Sequence, residues 1–391
     1  MTRLLLIPFL LFGAHAAAVE IATGKMLGKG YQTRSFYVRD KGGAWSKTYS
    51  EKQYRPEAAG RLMNLRIAQG LYHDEWLTEF PFDPQANTSR LIAALDTYKE
   101  HGILAVSVSL QSGNAGYNKE FQGIKRDIQA KFGPGKGALT SAFRPDGSLK
   151  DAWMKRLLRL TRELDRRGMI LNLMYIYQGQ DEVFENPAAI DRAVRNATDW
   201  LIDNDCRNVL VEIANEHNVG NYDHDKYIFR EMGRLIQLAR ERFQARKAAF
   251  RVPISASAAG MRLFDGVRDQ ADLTIVHGNN RTPEEKRTAI AALAADPAAP
   301  GPIYMNEDNS GRDTTTETLK NELASCDAVF QSGGSWGYMP WRMAQMFPFR
   351  FYQPAKTTRV ADDMPVDQRD PAYFHAVLDH VQKLVLVSAG K

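Results

Sequence analysis

The sequence predicts a (β/α)8 barrel of the TIM-barrel class, with an N-terminal extension and long loops after strands 2 and 8. Two observations carry this. Short apolar runs alternate strictly with amphipathic helical stretches, the pattern of parallel, right-handed βαβ units. No glycine-rich fingerprint follows the first strand, which argues against an open doubly wound sheet. A length of 391 residues is compatible, since single barrels often exceed 250 residues.

The first twenty residues stand apart. A basic tip ending at Arg3, an apolar stretch from Leu4 to Phe12 and small residues around Ala14-His15-Ala16 form a secretory signal pattern over residues 1–16. The stretch is too short to span a membrane, and no later segment is apolar enough to do so. The mature chain is expected to be exported, periplasmic or extracellular, with no membrane partner. Residues 17–60 lack clean periodicity and read as an extension packed on a barrel of residues 61–391.

The barrel elements follow in order. Residues 62–69 read as strand 1, and 88–101 as a helix opened by the capping residues Asn87-Thr88-Ser89. Strand 2 is 103–110. A glycine-rich insertion, 111–148, comes next and reads as a long functional loop. Its Phe132–Ala138 stretch resembles a phosphate loop, but Gly137 stands where Ser or Thr is required and no strand precedes it. Helix 149–167 and strand 169–177 follow, then helix 187–203, which has Pro187 at its first position. Strand 4 is 209–214 and helix 224–243 comes after it. Strand 5 (252–258) and a short helix near 262–268 precede strand 6 (273–277) and helix 282–295. Strand 7 (303–306), helix 316–330, strand 8 (334–341) and helix 370–387 complete the set, with a second long loop over 342–371.

Composition narrows the function. Apolar content of 44% and charged content of 25% are ordinary for a globular protein. The net charge is +5, and a chain cut after Ala16 loses Arg3 and keeps +4. This surplus permits an acidic partner such as a uronate-bearing polymer, although spread-out background charge is the plainer reading. No nucleic-acid-binding signature is present, and no cofactor motif is read. Cys206 and Cys326 fall on separated sectors of the barrel, beyond the roughly 7 Å that a disulfide spans, and are expected to be free. Oligomeric state is not readable.

In this fold chemistry sits at the C-terminal strand ends. Those tips carry Gln69 and His73-Asp74-Glu75, then Gln111, then Tyr177-Gln178, then Asn215-Glu216-His217. His277-Gly278-Asn279 follows strand 6, Glu307-Asp308 ends strand 7, and Trp336 lies on strand 8. Carboxylates, amides and aromatics suit sugar hydroxyls and pyranose faces. Two glutamates at the ends of strands 4 and 7 can face each other across the mouth, one protonating a glycosidic oxygen while the other attacks the anomeric carbon. Asp308 competes with Glu307 for that place. Glu212 lies deeper on strand 4 and suits a structural partner such as Arg66. His73, Gln111, Tyr177, Gln178 and Asn279 are candidate sugar contacts.

These residues make the chain resemble glycoside hydrolase clan A, the family 5 cellulase-like barrels and their relatives. There an Asn-Glu pair ends strand 4, a Glu ends strand 7, a His follows strand 6 and a Trp lies on strand 8. The matching residues are Asn215-Glu216, Glu307, His277 and Trp336. The resemblance implies Glu216 as acid/base, Glu307 as nucleophile and Asn215 as a donor to the sugar 2-hydroxyl. It implies that His277 and Trp336 shape the subsite of the cleaved sugar. Asn279 replaces the family's aromatic, and Asn306 and Asp308 flank the nucleophile, so the match is to the clan. The expected activity is retaining hydrolysis of a polysaccharide or oligosaccharide. Two other readings are a metal-dependent barrel enzyme using His73, Asp74, Glu216, His277 and Glu307, and a non-catalytic carbohydrate-binding barrel.

Overall fold

The computed structural model describes residues 19–73, 82–113, 115–132, 139–357 and 359–387. The signal pattern at 1–16, Asp74-Glu75 and the glycine-rich 133–138 lie outside these residues. Among the described residues, nine parallel strands form one sheet that is nearly closed into a barrel. Strands 1 to 4 are Asn64–Arg66, Ala105–Ser109, Ile170–Ile176 and Val209–Ala214. Strands 6 to 8 are Thr274–His277, Ile303–Asp308 and Ser335–Tyr338, and the eighth pairs back onto the first. The ninth segment arises because strand 5 is split at Ala256. Its first half, Ile254–Ser255, pairs with strand 4, and its second half, Ser257–Ala259, pairs with strand 6.

The helix layer follows from apolar stripes and capping chemistry. Helix Asp151–Arg166 buries Leu157, Leu160 and Leu164 completely, each worth about 1.5–3 kcal/mol. Helix Pro283–Ala295 opens with a capping box in which Thr282 and Glu285 satisfy each other's backbone N–H groups. The helix expected to start near Ser89 begins earlier, at Pro84, with Asp83 as its cap. Asn87 and Thr88 are instead buried, and they donate to the carbonyls of Gln69 (2.9 Å) and Gly70 (3.0 Å). They hold the loop after strand 1 rather than start a helix. Cys206 and Cys326 are both buried and unpaired. No helix among the described residues is long and apolar enough to cross a membrane.

Both long loops carry secondary structure among their described residues. The first contains strand Gly116–Tyr117 and helix Gln122–Phe132. The second starts with a π-helical turn, Trp341–Gln345, so Trp341 lies outside strand 8. It then pairs Met346–Phe347 in parallel with Gly116–Tyr117. Phe347 packs against Phe82, Phe121 and Phe349, and Tyr117, Phe349 and Phe351 are also buried. These aromatic residues hold the two loops together.

The N-terminal extension forms a three-stranded antiparallel sheet, Val19–Thr23, Phe36–Asp40 and Ser46–Lys47. It closes the N-terminal end of the barrel by bonding to the turns that precede the strands. Ile21 N–H donates to Arg207 O ahead of strand 4, and Lys25 Nζ to Ala271 O (2.6 Å) ahead of strand 6. Arg34 donates to Ala299 O and Gly301 O ahead of strand 7. Phe36, fully buried, meets Tyr304 edge to face with ring centroids 5.7 Å apart.

Candidate active site

The barrel interior carries a polar layer below the mouth. Asn172 donates to both Ser107 (3.0 Å) and Glu212 (3.2 Å), Ser107 donates to Asn64 (3.0 Å), and Asn306 donates to Glu212 (2.7 Å). Strands 1, 2, 3, 4 and 7 are thereby tied together. Arg66, on strand 1, stands above this layer between two carboxylates. Its guanidinium lies 3.6 Å from Glu212 and 2.5 Å from Glu307, and all three residues are buried.

Glu307 faces the mouth because strand 7 breaks its alternation. Its ladder with strand 6 runs Val276↔Met305 and then His277↔Glu307, a bulge that inserts one extra residue. Asn306 points into the barrel at Glu212, so regular pleating would send residue 307 outward and 308 inward. The bulge reverses this. Glu307 joins Arg66, accepts from Asn279 Nδ2 (2.6 Å) and lies 3.7 Å from His277 Nδ1. Asp308 turns to the helix layer, where it meets Lys286 Nζ (2.8 Å) and accepts from the Trp336 indole N–H (2.8 Å).

Glu216 follows strand 4 with φ +48°, in the left-handed region. Its N–H donates to Ser257 Oγ (2.8 Å), and the next N–H, of His217, to Ser257 O (3.0 Å). The second half of strand 5 thus pins the tip of strand 4. The Glu216 carboxylate accepts from Gln178 Nε2 (3.1 Å) and His277 Nδ1 (2.9 Å). Asn215 accepts from Arg66 and donates to Gln178, completing a chain from Arg66 to the acid. One carboxylate oxygen each from Glu216 and Glu307 and a ring nitrogen of His277 lie within 4.8 Å of one another.

The electrostatics separate the groups. Burial pushes the Glu307 carboxyl up, but Arg66, then His277 and Asn279, outweigh it and hold the group below its ordinary range. Burial opposes charge on His277, yet the attraction of Glu307 and Glu216 raises its pKa overall. Burial and the Glu307 charge push the Tyr177 phenol up, so it stays protonated.

A cavity of about 380 Å³ opens beside Glu216. His277 and Asn279 line it on one side, Asn218 on another, and the arginines Arg262 and Arg281 complete it with Ala259 and Gly260. Asn279 Oδ1 is buried and has no partner among the described residues.

No protein-family model and no curated protein matches this chain. Solved structures do. A glycoside hydrolase family 5 protein from Bacteroides vulgatus superposes with a TM-score of 0.52 at 10% identity, covering 92% of this chain and 68% of its own. A GH5-4 broad-specificity endoglucanase from Bacteroides salanitronis gives a TM-score of 0.52 at 10% identity, covering 83% and 93%. The exo-β-1,4-mannosidase Op5Man5 from Opitutaceae bacterium strain TAV5 gives 0.50 at 13% identity over 85% of this chain. This chain spans 62% of that mannosidase's length.

The chain has the (β/α)8 barrel fold of these glycoside hydrolases.

Within this barrel, Glu216, Glu307, His277, Asn215, Asn279, Gln178 and Tyr177 gather around Arg66, whose guanidinium carbon lies 6.0 Å from the Tyr177 ring centroid. Two expected sugar contacts stand elsewhere. Trp336 is fully buried, its indole spent on Asp308 and its ring stacked on Tyr338, so it offers no face to a sugar. Gln111 is also fully buried, donating to Ser141 Oγ and Gln180 O and accepting from Tyr177 N–H, which makes it a clamp between loops. His73 packs against Trp153, with ring centroids 6.3 Å apart. Arg66 pairs with Glu212 as its place in the strand suggested, but its closer contact, to Glu307, was not foreseen. An arginine inside an apolar strand is the signal that could have found it.

Proposed function

We propose that the protein is an exported glycoside hydrolase that cleaves a polysaccharide or oligosaccharide with retention of configuration. The observation behind this is the facing pair: Glu307, held ionised by Arg66, and Glu216, with carboxylate oxygens within 4.8 Å. That closeness supports a retaining site, where the carboxyl groups stand about 5–5.5 Å apart, over an inverting one at about 6.5–9.5 Å. Glu307 attacks the anomeric carbon as the bond to the leaving oxygen breaks, and protonated Glu216 delivers its proton to that oxygen. Water then attacks the glycosyl ester, Glu216 takes the water's proton, and Glu307 leaves as a carboxylate. Asn279 supplies an amide beside the sugar, Asn215 is spent on Arg66 and Gln178 behind it, and His277 keeps the two acids in register.

The test is digestion of a glycan panel with product configuration followed by NMR. Retention is expected, together with loss of turnover in Glu307→Ala by a factor on the order of 10³ or more. Near-wild-type turnover in that variant would overturn the nucleophile assignment.

A metal-dependent reading has one observation in its favour, the closeness of Glu216, His277 and Glu307. Arg66 counts against it, because its cation already answers Glu307 and repels a second one. Activity that is lost on chelation and restored by a divalent metal would favour it.

A further inference from the structure

We propose that the cavity beside Glu216 takes a sugar bearing an acidic group, a carboxylate or a sulfate ester, held by Arg262 and Arg281. This rests on the glycosidase reading for the position of the cleaved bond, but the anion site itself does not.

Two features of the cavity point the same way. Its lining carries two arginines and two amides, Asn218 and Asn279, and no Phe, Tyr or Trp side chain. The candidate platform for a neutral pyranose, Trp336, is buried behind strand 7. Recognition must therefore come from charge and hydrogen bonds rather than stacking. The second feature is that Arg262, which lines the cavity beside Glu216, has no carboxylate partner among the described residues. Arg281 has only Glu285, one turn along an exposed helix, at 3.4 Å, a contact that contributes little. Both guanidiniums are free to fork onto an oxyanion.

The net charge of +4 that remains after a cut behind Ala16 adds long-range attraction for an acidic polymer.

The experiment compares uronate oligosaccharides, their methyl esters, a sulfated oligosaccharide and its desulfated counterpart. Turnover is measured with the wild type, and binding is measured by calorimetry with the Glu307→Ala protein. Arg262→Gln and Arg281→Gln are expected to raise KM and Kd for the acidic ligands by about 10- to 100-fold each, with Arg262→Lys falling between. Both residues are exposed, so the fold is not at stake. Higher salt weakens binding of the acidic ligands and leaves neutral ones unchanged. The carboxylate and sulfate arms tell which oxyanion is preferred. Arginine-dependent binding without cleavage by the wild type would support the anion site and sink the glycosidase reading. Cleavage confined to neutral glycans and indifferent to both substitutions, or failure of every acidic ligand to bind, would overturn the anion site.

Discussion

Glu307 and Asp308 are neighbours in sequence but lie on opposite sides of the barrel wall. The bulge at the end of strand 7 sends the first to Arg66 and His277 and the second to Lys286 and Trp336. One slipped register decides which of two adjacent carboxylates can meet a substrate.

Asp308 accordingly has a supporting role. Asp308→Asn leaves the Lys286 ammonium buried without its counter-charge, and the loss should be about 3–5 kcal/mol of unfolding free energy. A fluorinated glycoside that traps the glycosyl ester should still label Glu307 in the folded variant. Mass spectrometry of the labelled peptide checks this, and a label found on Asp308 in the wild type contradicts it.

Arg66 sets the charge state of Glu307. Because the Glu307 pKa is depressed in the folded protein, its contribution to stability is present above the unfolded-state pKa and is lost as pH falls through the folded value. Removing the guanidinium raises the folded pKa. Arg66→Met should therefore move the acid limb of the kcat/KM profile to higher pH, and Arg66→Lys should move it less because the charge is kept. An unmoved limb in both variants would show that Arg66 does not act on the nucleophile.

His277 shifts in the other direction. Its pKa is raised by two carboxylates, so its stabilising contribution is complete below about 6.5 and disappears as pH rises through the folded value. Thermal stability of the wild type should decline over that window, and His277→Asn should flatten the decline. The same substitution should lower kcat by about 10²-fold, since it frees Glu216 to drift from the attack geometry. Parallel melting curves for the two proteins across that range would refute the coupling.

The backbone at Glu216 is the next point. A non-glycine residue at φ +48° is strained, and it is held there by the two bonds to Ser257. Glu216→Gly should be more stable than Glu216→Ala by about 1 kcal/mol, with both inactive on unactivated substrates. Denaturant melts of the pair measure it.

Much of this architecture was legible in the residues. Strand 4 and helix Pro187–Asp203 fall where apolar runs and the Asn186-Pro187 cap place them. The split of strand 5 and the strand 7 bulge left no mark, because a register slip changes hydrogen bonding without needing a particular residue. That is why Asp308 competed with Glu307 on paper, and why Trp336 could look like a platform. Gln111 misled for another reason: a buried amide and an exposed one are the same letter, and only its three bonds to Ser141, Gln180 and Tyr177 tell them apart. Arg262 and Arg281 were lost among the many surface cations. Their meaning depends on a cavity that three separate strand ends enclose.

The sheet that seals the N-terminal end also decides how the molecule can be handled. Lys41 and Lys52 are exposed on the extension, at the end remote from Glu216. Protein immobilised on a support through those amines presents its mouth to the bulk solution, where a long polymer can thread past it. The same protein coupled through Lys226, which is exposed on the helix after strand 4, lies closer to the mouth on its support and should lose activity on polymers before it loses activity on small glycosides.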